Sequence, residues 1–163
     1  MRLIYQLSLG LLLILPVISS HAEEESVWDK AQVSYFGPSN ITVYRSPTCG
    51  CCKKWVDHLE QHHFTVKDIT TDNMQTLKQQ YGVPRELASC HTAIINGYVI
   101  EGHVPADDIK RLLMEKPKIT GLTVPAMPVG TPGMEMGARK DPFYVLQFNE
   151  AGQSKPFNTY QNY

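Results

Sequence analysis

The chain has 163 residues, a formal net charge of −1 and 42% hydrophobic residues. That length supports one domain with a real core, and the near-neutral charge without a basic run implies no nucleic-acid partner. Four cysteines remain as the chemically distinctive content, three of them in the run Cys49-Gly50-Cys51-Cys52 and the fourth at Cys90.

The N-terminus reads as a signal peptide, residues 1–22. Arg2 supplies the positive start, Leu7 to Ile18 is apolar, and Ser20-His21-Ala22 offers small residues for cleavage after Ala22. The apolar run is shorter than the ~20 residues a membrane span needs, and Glu23-Glu24-Glu25 follow at once. The expectation is a periplasmic protein without a stable membrane anchor. Residues 23–40 form an N-terminal leader, with a short helix expected around Val27 to Gln32. Residues 41–163 form the domain, of which 117–163 are a C-terminal extension.

Ile41 to Arg45 reads as a buried strand, and Ser46-Pro47-Thr48 as a loop. Cys51 to His63 predicts a helix with Trp55, Val56 and Leu59 facing a core. Phe64 to Ile69 alternates as a strand. Asn73 to Tyr81, closed by Gly82, predicts a second helix. Ala93 to Ile95 and Tyr98 to Glu101 flank Asn96-Gly97, a strong two-residue hairpin signal. Pro105 with Asp107 and Asp108 opens a third helix that runs to about Glu115. The order β-α-β-α-β-β-α predicts a small mixed α/β sheet covered by helices. Residues 117–140 are rich in Pro, Gly and Met, and no regular structure is expected there. Phe143 to Phe148 and Phe157 to Tyr160 predict a terminal hairpin around Asn149-Glu150-Ala151-Gly152.

The cysteine run falls between a strand and a helix, where backbone amides and the helix dipole favour thiolate. Thiolate is the form that binds soft metals and attacks disulfides. In an oxidising compartment, pairing is also expected. A Cys51–Cys52 bridge would be strained, and Cys49–Cys52 with Cys51–Cys90 requires Cys90 beside the helix start. Clustered thiols close almost no chain loop, so disulfides here would add little as structural staples. Four thiolates suit Cu(I), which accepts two or three ligands and bridging sulfurs, better than one tetrahedral zinc ion. Met127, Met134 and Met136 lie where no helical face needs them, so Met134 and Met127 are candidate thioether ligands ahead of Met136. His91 adjoins Cys90 and is a candidate ligand or hydrogen-bond partner. His103 precedes a helix, where capping or packing is the plainer role. His58, His62 and His63 fall on expected solvated helix positions, and Lys53 and Lys54 read as surface lysines.

Cys49-Gly50-Cys51-Cys52-Lys53 resembles the Cys-Gly-Pro-Cys-Lys site of the thioredoxin fold, with Cys51 in place of the proline. Cys90-His91-Thr92 falls where that fold carries a cis-proline facing its cysteines. Each departure replaces a residue that offers no donor with one that does. Over nearly the whole span from Ile41, the motifs Ser46 to Cys52, Ser89 to Ala93, Gly97 to Pro105 and Pro132 to Glu135 resemble the CopG-like family. These are exported bacterial proteins with a thioredoxin-like domain, associated with copper resistance. The resemblance implies that Cys49, Cys51, Cys52 and Cys90 bind copper, with more than one ion held as a multinuclear cluster. It also implies handling of copper between Cu(I) and Cu(II) on its way out of the periplasm, with a copper efflux system or a periplasmic copper chaperone as partner. Three activities are compatible with the sequence: a copper-binding protein with copper oxidoreductase activity, a thiol–disulfide oxidoreductase using Cys49 and Cys52, and a non-catalytic copper chaperone.

Overall fold

The computed structural model describes residues 26–163. The expected signal peptide lies outside the described residues. Among those described, no helix is long and apolar enough to cross a membrane.

Seven strands form one mixed sheet in the order β2-β1-β3-β4-β5-β6-β7. The elements run β1 (Asn40–Arg45), α1 (Gly50–Gln61), β2 (Thr65–Thr70), α2 (Met74–Gln80), β3 (Thr92–Ile95), β4 (Tyr98–Glu101), α3 (Ala106–Glu115), β5 (Gly121–Thr123), β6 (Phe143–Phe148) and β7 (Ser154–Tyr160). β1 and β2 are parallel through the α1 crossover, whereas β3 is antiparallel to β1 and to β4. This is a thioredoxin-like α/β fold, as the element order predicts.

Period-2 alternation divides the sheet residues between two faces. Ile41, Val43, Ala93, Ile95, Ile100 and Val145 enter the main core with Trp55, Val56 and Leu59 of α1 and Ile109, Leu112 and Leu113 of α3. Val99 and Phe148 point the other way, into a smaller cluster with Val83 and Leu87. The turn between β3 and β4 has positive φ at both Asn96 and Gly97. Asn and Gly tolerate that geometry, and its twist matches that of the paired strands.

Two expectations fail. Residues 117–140 are not wholly irregular: β5 pairs parallel with β4 and antiparallel with β6, which draws the terminal hairpin into the sheet. A three-residue strand between Pro- and Gly-rich segments is too short to show periodicity. The leader forms turns rather than a helix over Val27 to Gln32. It is held by tertiary contacts instead. Trp28 is buried among Phe143, Tyr160 and Tyr163, and its Nε1 donates to the Gly130 carbonyl at 2.7 Å. Asp107 accepts from the backbone amides of Gln32 and Val33.

Trp28 thus stitches the leader to the extension, and Trp28→Ala should cost about 3–5 kcal/mol, the usual range for emptying a large aromatic site. Urea unfolding measures it; a loss below about 1 kcal/mol, typical of a surface change, would contradict this packing.

Candidate metal and redox site

Cys49 is the N-cap residue of α1 and extended in backbone, so Cys51 and Cys52 fall in the first helical turn. The Lys53 amide donates to the Cys49 carbonyl at 3.3 Å and the Cys49 amide to Ser46 at 3.2 Å, which anchors the loop to the helix. Cys52 lies on the same helical stripe as Trp55, Val56 and Leu59 and is buried, whereas Cys49 and Cys51 remain partly exposed.

The chain segment before β3 brings in the fourth cysteine. The four sulfurs of Cys49, Cys51, Cys52 and Cys90 lie within 4.8 Å of one another. Cys49 and Cys52 are joined as a disulfide, while Cys51 and Cys90 are free thiols. Cys51 Sγ is 3.5 Å from Cys49 Sγ, and the thiol must be the donor because a disulfide sulfur carries no proton.

Two histidines complete the pocket. Cys90 Sγ is 3.2 Å from His91 Nδ1 and 3.2 Å from His103 Nε2, and these three donor groups also lie within 4.8 Å of one another. His103 Nδ1 sits 2.7 Å from the Pro132 carbonyl, which can only accept, so Nδ1 carries the proton. The Nε2 lone pair of neutral His103 therefore faces Cys90. Such a second hydrogen bond commonly fixes a metal-binding histidine. His103, expected from the sequence to cap or pack, instead stands beside the cysteine with no exposed surface.

The pocket is dry. Burial, and next the neighbouring Cys51, push the Cys90 thiol up to about 12. Cys90 lies outside α1, so the helix dipole does not favour its thiolate. Burial lowers His91 and His103 as well. His91 Nε2 is buried without a hydrogen-bond partner, and its ring lies 4.2 Å from that of Trp55.

The loop 130–134 covers the first turn of α1. A Cβ at Gly133 would stand 2.7 Å from the Trp55 nitrogen and 2.9 Å from the Cys51 carbonyl, so this close approach requires glycine. Met134 follows directly and is half-buried, which places its backbone at the edge of the site. Met127 is 49% exposed, beside Ala126, whose carbonyl accepts from the Ser89 hydroxyl. Met136 is more exposed still, at 65%.

Lys53 and Lys54 are exposed as expected, and Lys53 pairs with Asp57. The expectation of solvated helix histidines fails for His58 and His62, which are buried, and holds for His63. The start of α3 and the leader cover that face. The Ala106 amide donates to His58 Nε2 at 3.0 Å, and His62 Nε2 donates to the Trp28 carbonyl at 2.5 Å.

The site is a thioredoxin-like strand–loop–helix junction lined with sulfur and imidazole. A model described as "Protein of unknown function, DUF411" matches residues 87–134. Two solved structures of a copper resistance protein, copG, are also similar. Form 1 is 45% identical over 76% of this chain and 98% of that one, with a TM-score of 0.72. Form 2 is 44% identical over 77% of this chain and 100% of that one, with a TM-score of 0.73. Among the curated proteins compared, none matches. The chain belongs to the CopG-like copper-resistance family.

Burial, reinforced by His62, Lys110 and His103, drives His58 down to about 3. An unfolded histidine titrates near 6.5, so between these values the unfolded chain binds the extra proton. The stability contributed by neutral His58 is complete above pH ~6.5 and is lost as pH falls. From pH 7 to 5.5 this one group should remove about 1 kcal/mol. Urea unfolding at the two pH values should show it, and His58→Gln should reduce the difference; pH-independent stability would refute it.

Proposed function

We propose that this protein is a periplasmic copper-binding protein of copper resistance that holds Cu(I) through Cys49, Cys51, Cys52 and Cys90 once the disulfide is reduced. The mutual approach of the four sulfurs within 4.8 Å carries the reading. Soft thiolates favour Cu(I), and adjacent Cys51 and Cys52 suit sulfur-bridged copper ions in a small cluster better than one tetrahedral zinc ion. His103, His91, Met134 and Met127 are candidates to complete the coordination. The domain division proposed is a signal peptide over residues 1–22, a leader over 23–40 and a copper-binding domain over 41–163. A copper efflux system or a periplasmic chaperone is the proposed recipient.

The Cys49–Cys52 pair adds a two-electron store. Two Cu(II) ions can each take one electron from the two thiolates, which join as the disulfide, giving two Cu(I). An external dithiol that reopened the disulfide, supplying two electrons and becoming a disulfide itself, would complete a cycle and make the protein a copper oxidoreductase rather than a passive carrier.

Reduced protein, loaded anaerobically and titrated against bicinchoninate, should retain more than one Cu(I) per chain. Cys51→Ser should lower the stoichiometry or weaken retention by about 10-fold or more, as loss of a ligand or its support does. A stoichiometry below one, or a preference for zinc, would overturn the reading.

The disulfide across Cys-x-x-Cys also supports a second reading, a thiol–disulfide oxidoreductase with Cys49 as nucleophile and Cys52 as resolving thiol. Metal-free protein that reduces insulin with turnover, and loses this in Cys49→Ser, would favour it. Absence of turnover would leave the copper reading alone.

A further inference from the structure

Glu101 ends β4 with a side chain that has no exposed surface. A buried carboxylate is costly unless charge and hydrogen bonds compensate it. Lys78 Nζ, arriving from α2, lies 2.5 Å from Oε1. The Ser89 backbone amide donates to the same oxygen at 2.6 Å. The Thr92 hydroxyl donates to Oε2 at 2.7 Å and accepts from Lys78 Nζ at 2.9 Å. Ser89 and Thr92 are the residues on either side of Cys90-His91.

We propose that Glu101, paired with Lys78, is the positioning residue of the site, clamping both ends of the Ser89–Thr92 segment so that Cys90 and His91 are held toward α1. The consequence for copper rests on the function proposed above. The strand ladder does not need this carboxylate, because Glu101 meets Thr92 and Thr123 through its backbone register. An apolar residue of similar volume would avoid the desolvation cost. The carboxylate adds two ties that no apolar side chain makes, one to the Ser89 amide and one to the Thr92 hydroxyl. Asp108, the other fully buried carboxylate among the described residues, instead binds Arg111, Asn158 and Tyr160.

The test uses Glu101→Gln, Glu101→Ala and Lys78→Met in the full protein, with Thr92→Val as a milder variant should the Glu101 changes fail to fold. Amide hydrogen exchange is followed in reduced, metal-free protein, beside Tm and Cu(I) competition with bicinchoninate. Folded variants should keep wild-type protection in β1 and α1, while Ser89 to Thr92 exchanges about 10-fold faster or more, a local opening. Cu(I) affinity should fall about 10-fold or more, with a shift in the absorption of the copper-loaded protein. Glu101→Gln should recover part of what Glu101→Ala loses. A folded variant with unchanged Ser89–Thr92 exchange, or with faster exchange and unaltered Cu(I) affinity, would overturn the proposal. If wild-type protein bound no Cu(I), the copper reading would fail, and the exchange measurement would still decide whether Glu101 holds the segment.

Discussion

The register of the β3–β4 hairpin is the constraint on which the site depends. A two-residue turn at Asn96-Gly97 allows one alignment of the strands, ending at the pair Thr92 and Glu101. One step further, the Gly102 amide donates to the His91 carbonyl at 3.0 Å. The next step sets Cys90 opposite His103, and their side chains meet at 3.2 Å. A slip of one residue would turn a core partner, Ala93 or Ile100, away from the main core and would separate Cys90 from His103. The apolar core therefore enforces the same register that assembles the polar site.

Around that hairpin the fold accepts several costs. Cys90 is held as a thiol by burial, and two neutral histidines stand in the same low-dielectric space. His91 Nε2 forgoes a hydrogen bond altogether. Unpaired or partly paired buried polar groups oppose folding. They persist because the surrounding sheet, Trp55 and the Gly133 contact over-determine their places. The extension contributes directly: β5 and β6 carry the chain back so that Pro132 can accept from His103.

Elements from β1 to α3 were legible because each carries its own periodicity or cap, and the Asn96-Gly97 turn announced the hairpin. The sulfur cluster was legible as a run of side chains at a helix start. What escaped depends on segments far apart in sequence. β5 is three residues long and becomes a strand by lying between β4 and β6. His58 and His62 look solvated on a helical wheel until the leader and α3 cover them. His103 could have been found by counting back from the turn, since Cys90 and His103 are equally distant from it. The role of Glu101 was less accessible, because its partner Lys78 comes from a helix that buries no residue of its own.

The approach that would let four sulfurs share a metal also allows two of them to oxidise, and the outcomes would compete. A disulfide sulfur carries no negative charge and is a poor soft donor, so the Cys49–Cys52 bond withdraws two of the four thiolates at once. Cys51, Cys90 and the His103 lone pair remain, a set with fewer sulfurs and a larger share of nitrogen. Imidazole suits Cu(II) better than an all-thiolate set does. Opening or closing one bond thus changes the donor chemistry of the pocket while β3, β4 and the first turn of α1 stay where the core puts them. A rigid scaffold with an exchangeable donor set is what separates this junction from a thioredoxin site, where a proline between the cysteines offers no third sulfur.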